Sequence, residues 1–243
     1  MDVNGKVVLD LSGKVVVITG GSRGIGAETA RRMAAAGARV IVNYHSSDEA
    51  ANAVVREIGE RAVAIRADVA DPEALKGMID DVVSRFGTID VLVNNAADFE
   101  YNPFERDDYE SWQRGWRRTF DLNVFAAANA AWLAMRAMRR SGGGKIINVA
   151  SRAAWRGETE FADYGASKAA LVNLTRSIAR ACAKDNIVAS CVAPGFIETE
   201  MAKPELEKHR EEILSQIPLR RVGSVDDVAG VILFLASPMG DYL

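Results

Sequence analysis

Short runs of β-branched and apolar residues alternate along the whole chain with longer amphipathic stretches. The runs are VVVIT (15–19), RVIVN (39–43), AVAIR (62–66), DVLVN (90–94), KIINVA (145–150) and IVASCVA (187–193). Helical periodicity fills the intervals near 24–36, 48–59, 72–86, 109–141 and 162–184. Strands that are apolar on both faces need cover on both sides, and intervening helices supply it through right-handed crossovers. The expected fold class is α/β, a doubly wound parallel sheet of Rossmann type with helices on both faces. Ligands of such a sheet lie beyond the C-terminal ends of its strands.

At 243 residues, with no linker or low-complexity segment, the chain reads as a single domain over 1–243. The segment 195–224, GFIETEMAKPELEKHREEILSQIPLRRVGS, is long for a connection and reads as a lid over the substrate. The chain ends at SPMGDYL after a helical stretch (224–236), where a final strand is expected and is missing.

A net charge of only −3 gives no electrostatic footprint for nucleic acid or an anionic membrane. Cys182 and Cys191 have no metal-ligand spacing, and His45 and His209 are isolated, so no metal site is expected. Both cysteines read as small packing residues of a reducing compartment. The start MDVNGKVVLDLSGK lacks a basic segment followed by an apolar one, and no apolar run reaches the ~20 residues of a membrane span. The expected location is cytoplasmic.

TGGSRGIG (19–26) lies between the first strand and a helix, the context of a phosphate-binding loop. Glycine lets backbone approach a ligand closely, and the helix N-terminus offers unpaired N–H groups with partial positive charge. The glycines at 20, 21, 24 and 26 depart from the G-x-G-x-x-G spacing, and Arg23 adds a charge inside the loop. Downstream stand NNAA (94–97), DLN with Asn123, Ser151 after a strand, YGASK (164–168) and PG (194–195).

In this order and at these separations the motifs resemble the short-chain dehydrogenase/reductase family over nearly the whole chain. The likeness is greatest to its 3-oxoacyl-carrier-protein reductase branch. It implies a catalytic set of Asn123, Ser151, Tyr164 and Lys168: tyrosine as general acid, serine polarising the carbonyl, lysine holding the ribose and lowering the tyrosine pKa, asparagine keeping a water in the proton relay. Elementary electrostatics agrees on the lysine. Tyr164 and Lys168 are four apart on a helix and share a face. An ammonium ~4 Å from a phenolate stabilises it by ~4 kcal/mol at an effective dielectric near 20, about three pKa units. Ser151 has no nucleophile elbow and no histidine partner, so it is not read as a nucleophile.

The family pattern places Gly20, Ser22, Arg23, Gly24, Ile25, Gly26, Asn43, His45, Ser46, Asp68, Val69, Asn94, Ala96, Tyr164, Lys168, Pro194, Gly195, Ile197 and Thr199 around a nicotinamide dinucleotide. An NAD-preferring site usually has Asp or Glu at the end of the second strand. Asn43 stands there instead, with Arg23, His45 and Ser46 as donors, and this favours NADP(H). The implied reaction interconverts a carbonyl and a secondary alcohol. A 3-oxoacyl thioester, another ketone and a polyketide-like compound are open as substrates, and a nucleotide-binding relative without turnover is the alternative class. The resemblance also implies a homo-oligomer, tetramer or dimer. Phe99, Arg152, Trp155, Phe161 and Phe196 stand near the motifs and are expected to face substrate. The aromatic, charged region 98–120 reads as a solvated helix face or oligomer contact in preference to a carrier-protein dock. Ala97 replaces the last glycine of the family's NNAG.

Overall fold

The computed structural model describes residues 9–243. Six strands form one parallel sheet: β1 (Val15–Ile18), β2 (Arg39–Tyr44), β3 (Ala62–Arg66), β4 (Val91–Asn94), β5 (Gly144–Val149) and β6 (Ile187–Val192). Their order is β3-β2-β1-β4-β5-β6. In register, Val17 of β1 stands between Ile41 of β2 and Leu92 of β4, and Leu92 is beside Ile146 of β5.

Alternation of side chains divides the core into two layers. Val15, Val17, Ile41, Leu92 and Ile146 point to one face, where Leu75, Met78 and Val82 of α3 (Pro72–Phe86), Ala130, Ala134 and Met138 of α5 (Ala126–Ser141) and Ile178 of α7 (Ala162–Cys182) cover them. Val16, Ile18, Val40, Val42, Val93 and Ile147 point to the other. There Ala30 and Met33 of α1 (Gly24–Ala35), Ala51 and Val54 of α2 (Asp48–Ile58), and Val228 and Ile232 of α9 (Val225–Ala236) cover them. Burying each large aliphatic side chain contributes about 1.5–3 kcal/mol relative to exposure, so a one-residue slip of any central strand would exchange the two layers at heavy cost.

Local chemistry sets the element ends. Asp71 caps α3, accepting from Glu73 N–H at 2.9 Å, and Pro72 occupies the first turn, where no donor is lost. Ser224 and Asp227 cap α9 reciprocally. The strands fall where the apolar runs placed them, within one or two residues. The stretch 109–141 differs. It is α4 (Tyr109–Phe120) and α5 joined by a π-helical turn at Asp121–Phe125, which inserts a residue into the helical register and holds Asn123 inside, 1% exposed.

The chain leaves β1 towards the face of α1 and leaves β4 towards the face of α5, and the crevice opens between them at the strands' C-terminal ends. A short helix, α6 (Ala153–Arg156), follows β5. Segment 195–224 carries α8 (Lys203–Gln216) and is closed at its base by a parallel bridge between Ile197 and Gly223. Leu206 and Ile213 bury its inner face. Among the described residues β6 pairs only with β5 and forms one edge of the sheet.

Candidate active site

The C-terminal edge of the sheet opens into a cleft of about 1400 Å³ walled by the segments that follow all six strands. Two backbone features shape the glycine loop. Gly20 and Gly24 have φ of +62° and +55°, a region that side chains disfavour. At Gly26 a Cβ would stand 2.3 Å from the Gly20 carbonyl oxygen and 2.6 Å from Asn95 Nδ2, so only hydrogen fits. The loop is held from the next strand. Asn95 Nδ2 donates to the Thr19 and Gly20 carbonyls at 3.1 and 3.0 Å, and Thr19 Oγ1 accepts from the N–H groups of Asn95 and Ala96, each at 3.0 Å. The first turn of α1 contains no acid, which keeps its N-terminus hospitable to an anion.

Of the residues expected at the cofactor, Gly20, Ser22, Arg23, Gly24, Ile25, Asn43, His45, Ser46, Asp68, Val69, Ala96, Tyr164, Lys168, Pro194, Gly195, Ile197 and Thr199 all line this cleft. Gly26 lies behind the loop, and Asn94 lies beneath the floor. Asn94 Nδ2 donates to Asn148 Oδ1 at 2.8 Å and to the Ala127 carbonyl, tying β4 to β5 and α5. Asn43 is 2% exposed and its amide is spent on backbone: Nδ2 donates to the Ala67 carbonyl at 3.0 Å, and Oδ1 accepts from Gly20 N–H at 3.3 Å. Arg23 Nη1 contacts Glu200 Oε2 at 3.2 Å, joining the glycine loop to segment 195–224 across the mouth of the cleft. His45 Nε2 stands 3.9 Å from Asp68 Oδ2.

Ser151 follows β5 and Tyr164 opens α7, and both line the cleft. Burial raises the Tyr164 phenol above its usual pKa, and the neighbouring Ser151 hydroxyl opposes the rise. Lys168 is 2% exposed, and its Nζ donates to the Val149 carbonyl at 2.9 Å. Burial pushes its pKa down to about 8. Its Nζ lies 5.6 Å from the Tyr164 ring centroid, so the two side chains do share a face. The pull expected of Lys168 on the phenol is not seen: desolvation is the leading influence on Tyr164 and acts upward, and the charges that bear on it are those of Glu158 and Arg152. Asn123 does not line the cleft. Its side chain exchanges hydrogen bonds with the Asp98 backbone at 2.9 and 3.1 Å and donates to Ser167 Oγ at 3.0 Å.

A match to the short chain dehydrogenase family spans residues 14–210. The 3-oxoacyl-[acyl-carrier-protein] reductase FabG of Staphylococcus aureus is 40% identical over 233 residues, covering 95% of this chain and 93% of the relative. The chain belongs to the short-chain dehydrogenases/reductases. Two solved members superpose closely. A short chain dehydrogenase from Burkholderia cenocepacia in complex with NADP has a TM-score of 0.88 at 37% identity, covering 96% of this chain and 94% of that one. A 7α-hydroxysteroid dehydrogenase complexed with NADH and 7-oxo glycochenodeoxycholic acid has a TM-score of 0.89 at 36% identity, with 97% and 92% covered.

As a short-chain dehydrogenase/reductase the protein is an NAD(P)-dependent oxidoreductase, and its cleft fits the cofactor. It borders the N-terminus of α1 and the positive-φ Gly20 and Gly24, and its volume exceeds what one small substrate needs. Of the residues expected to face substrate, Phe99, Arg152, Phe161 and Phe196 line the cleft, whereas Trp155 does not and is 63% exposed. Phe99 stacks on Phe161 at 3.9 Å between centroids and stands edge-on to Tyr164 at 5.1 Å.

One group beside the site gave no sequence signal. Asp163, 1% exposed, accepts from Asn102 Nδ2 at 3.1 Å, Thr119 Oγ1 at 3.0 Å and the Tyr164 N–H at 2.8 Å. Asn102 in turn donates through Nδ2 to the Trp112 carbonyl and through its N–H to the Glu160 carbonyl. Gly115 leaves room for it, since a Cβ there would stand 2.6 Å from Asn102 Nδ2. This buried knot joins the loop after β4, α4 and the first turn of α7. An acid next to a tyrosine in a helix is unremarkable as sequence, and only the fold brings Asn102 and Thr119 to it.

Proposed function

We propose that the protein is an NADP(H)-dependent carbonyl reductase, interconverting a carbonyl and a secondary alcohol, with 3-oxoacyl thioesters as its substrate class. The carrying observation is that Ser151, Tyr164 and the buried Lys168, its Nζ fixed on the Val149 carbonyl, line one cleft at the C-terminal ends of the strands. The nicotinamide, when bound, supplies or accepts the hydride. The Ser151 hydroxyl donates a hydrogen bond to the carbonyl oxygen and fixes its position. Tyr164, its pKa raised by burial, carries its proton at neutral pH and donates it to that oxygen during reduction. Lys168 then stabilises the phenolate left behind, held in place by the Val149 carbonyl.

The N–H groups at the start of α1, with Gly20 and Ser22, would cradle the phosphates, and Arg23 would turn from Glu200 to a 2′-phosphate. The absence of an acid at Asn43 favours the same choice. Segment 195–224 acts as a lid, a single dinucleotide-binding domain spans 1–243, and a cytoplasmic location and a homo-oligomer belong to the same reading. The relatives' names support the thioester.

The test is loss of NADPH and NADH absorbance with a panel of ketones and a 3-oxoacyl thioester. Arg23→Ala is expected to raise KM for NADPH about tenfold or more, the scale of one lost charge-assisted contact, and to leave KM for NADH much less changed. Equal effects on both cofactors would refute the NADP assignment. Cofactor binding without oxidation of NADPH or NADH by any carbonyl would refute the catalytic reading.

A further inference from the structure

Arg152 follows Ser151 directly and leads into α6. Its backbone is pinned, with its N–H donating to the Pro194 carbonyl at 3.0 Å and its own carbonyl accepting from Trp155 N–H at 3.1 Å. The side chain lines the cleft and is 29% exposed. Its guanidinium lies over the Phe196 ring, 4.5 Å from the centroid, which orients the planar fork.

What is unusual is how little the fork is used. A guanidinium carries five N–H donors. Among the described residues the only ionic contact of Arg152 is Nη2 to Glu158 Oε1 at 3.6 Å, beyond the 2.7–2.9 Å of a charge-assisted hydrogen bond, and no side-chain hydrogen bond is made. Surface pairs of this chain, such as Arg210–Glu198 at 3.5 Å, are as long, so it is the place of this pair that sets it apart. This one is half-buried, and it borders the cleft next to the hydroxyl that would hold the reacting carbonyl. Burial is the leading influence on Arg152 and lowers its pKa.

We propose that Arg152 binds a second oxygen of the substrate, on the acyl carbon β to the reacting carbonyl, and so selects 3-oxoacyl compounds over plain ketones. The inference rests on the carbonyl-reductase reading. The two oxygens of a 1,3-dicarbonyl project from alternate carbons of one short chain, a spacing that two consecutive residues can serve, Ser151 for the first and Arg152 for the second. Glu158 decides between two sources of that oxygen. Its carboxylate already balances the Arg152 charge, so a neutral ester or thioester carbonyl enters without penalty while a free carboxylate meets repulsion. Phe196 belongs to segment 195–224, so the orientation of the fork depends on where that segment lies.

The experiment compares kcat/KM for ethyl acetoacetate, acetoacetate and 2-pentanone with NADPH in the wild type, Arg152→Gln, Arg152→Lys and Glu158→Gln. The wild type is expected to prefer the ester to the ketone, and Arg152→Gln to reduce that ratio about 10–100-fold, the usual scale of one charged hydrogen bond. Arg152→Lys keeps the charge without the fork and falls between them. Glu158→Gln raises acetoacetate relative to the ester. Thermal unfolding checks that each variant is folded, and the lysine variant keeps the comparison open if the glutamine variant is not. An ester-to-ketone ratio that is unchanged in both Arg152 variants overturns the inference while the carbonyl-reductase reading stands. No turnover of any carbonyl with either cofactor overturns both.

Discussion

Replacing Asn43 with aspartate is the obvious way to turn an NADP site into an NAD site, and the structure predicts that it damages the fold instead. The Asn43 amide donates to the Ala67 carbonyl at 3.0 Å and is 2% exposed. An aspartate keeps the acceptor that serves Gly20 N–H but presents an oxygen where Ala67 needs a donor. Leaving a buried acceptor unsatisfied costs about 1–3 kcal/mol, and an uncompensated partly buried charge adds to it. The second donation, to the Ile65 carbonyl at 3.4 Å, is too long to add much.

A total near 3 kcal/mol corresponds to a fall in Tm of about 6–12 °C for a domain of this size. The cost must also depend on pH. Burial and facing carbonyls raise the folded-state pKa of the new carboxyl above its unfolded value of about 3.9. The protonated acid can donate to Ala67, so the deficit is smallest in acid and grows as pH rises through the raised folded pKa. Urea unfolding of wild type and Asn43→Asp without cofactor, at about pH 5 and about pH 8, measures this directly. Undiminished stability at the higher pH, together with a clean preference for NADH, would refute the view that this amide is a structural tie.

Two further outcomes are expected. Tyr164→Phe removes the proposed proton donor and should lower kcat by about 10²–10⁴-fold, while the dissociation constant for NADPH, read by fluorescence, changes little; near-normal turnover would remove Tyr164 from its role. Lys168 titrates near pH 8 when folded, against a usual value of 10.5. The unfolded chain therefore binds the extra proton between those values, and stability gains about 3 kcal/mol at most as pH rises across that window. Chemical denaturation should show this gain in the wild type and lose it in Lys168→Met.

The strands were legible because each is a compact β-branched run whose neighbours pair in parallel, and the two layers of the core follow from simple alternation along those runs. The glycine loop was legible because Gly26 can be nothing else. Three things could not be read. The π-helical turn at Asp121–Phe125 leaves helical composition unchanged, so 109–141 looked like one uninterrupted helix. Asn43 and Asn123 look like polar residues free to meet a ligand, and only the folded backbone shows their amides already committed. Trp155 stands close to the motifs in sequence but turns away from the cleft, because proximity along the chain says nothing about the direction in which a short helix points its side chains.

The knot around Asp163 has a consequence for how this enzyme can diverge or be redesigned. The loop that carries Phe99 and Asn102 borders the cleft, and the first turn of α7 carries the proposed proton donor, yet one carboxylate joins them. A remodelled substrate wall that loses Asn102 or Thr119 leaves a buried acid with fewer donors at the residue before Tyr164. Changing what the pocket admits is thereby coupled to where the proton is delivered. Specificity should move most freely through side chains outside the knot, such as Phe161, Phe196 and those of segment 195–224, and least freely through loop exchange between β4 and α4.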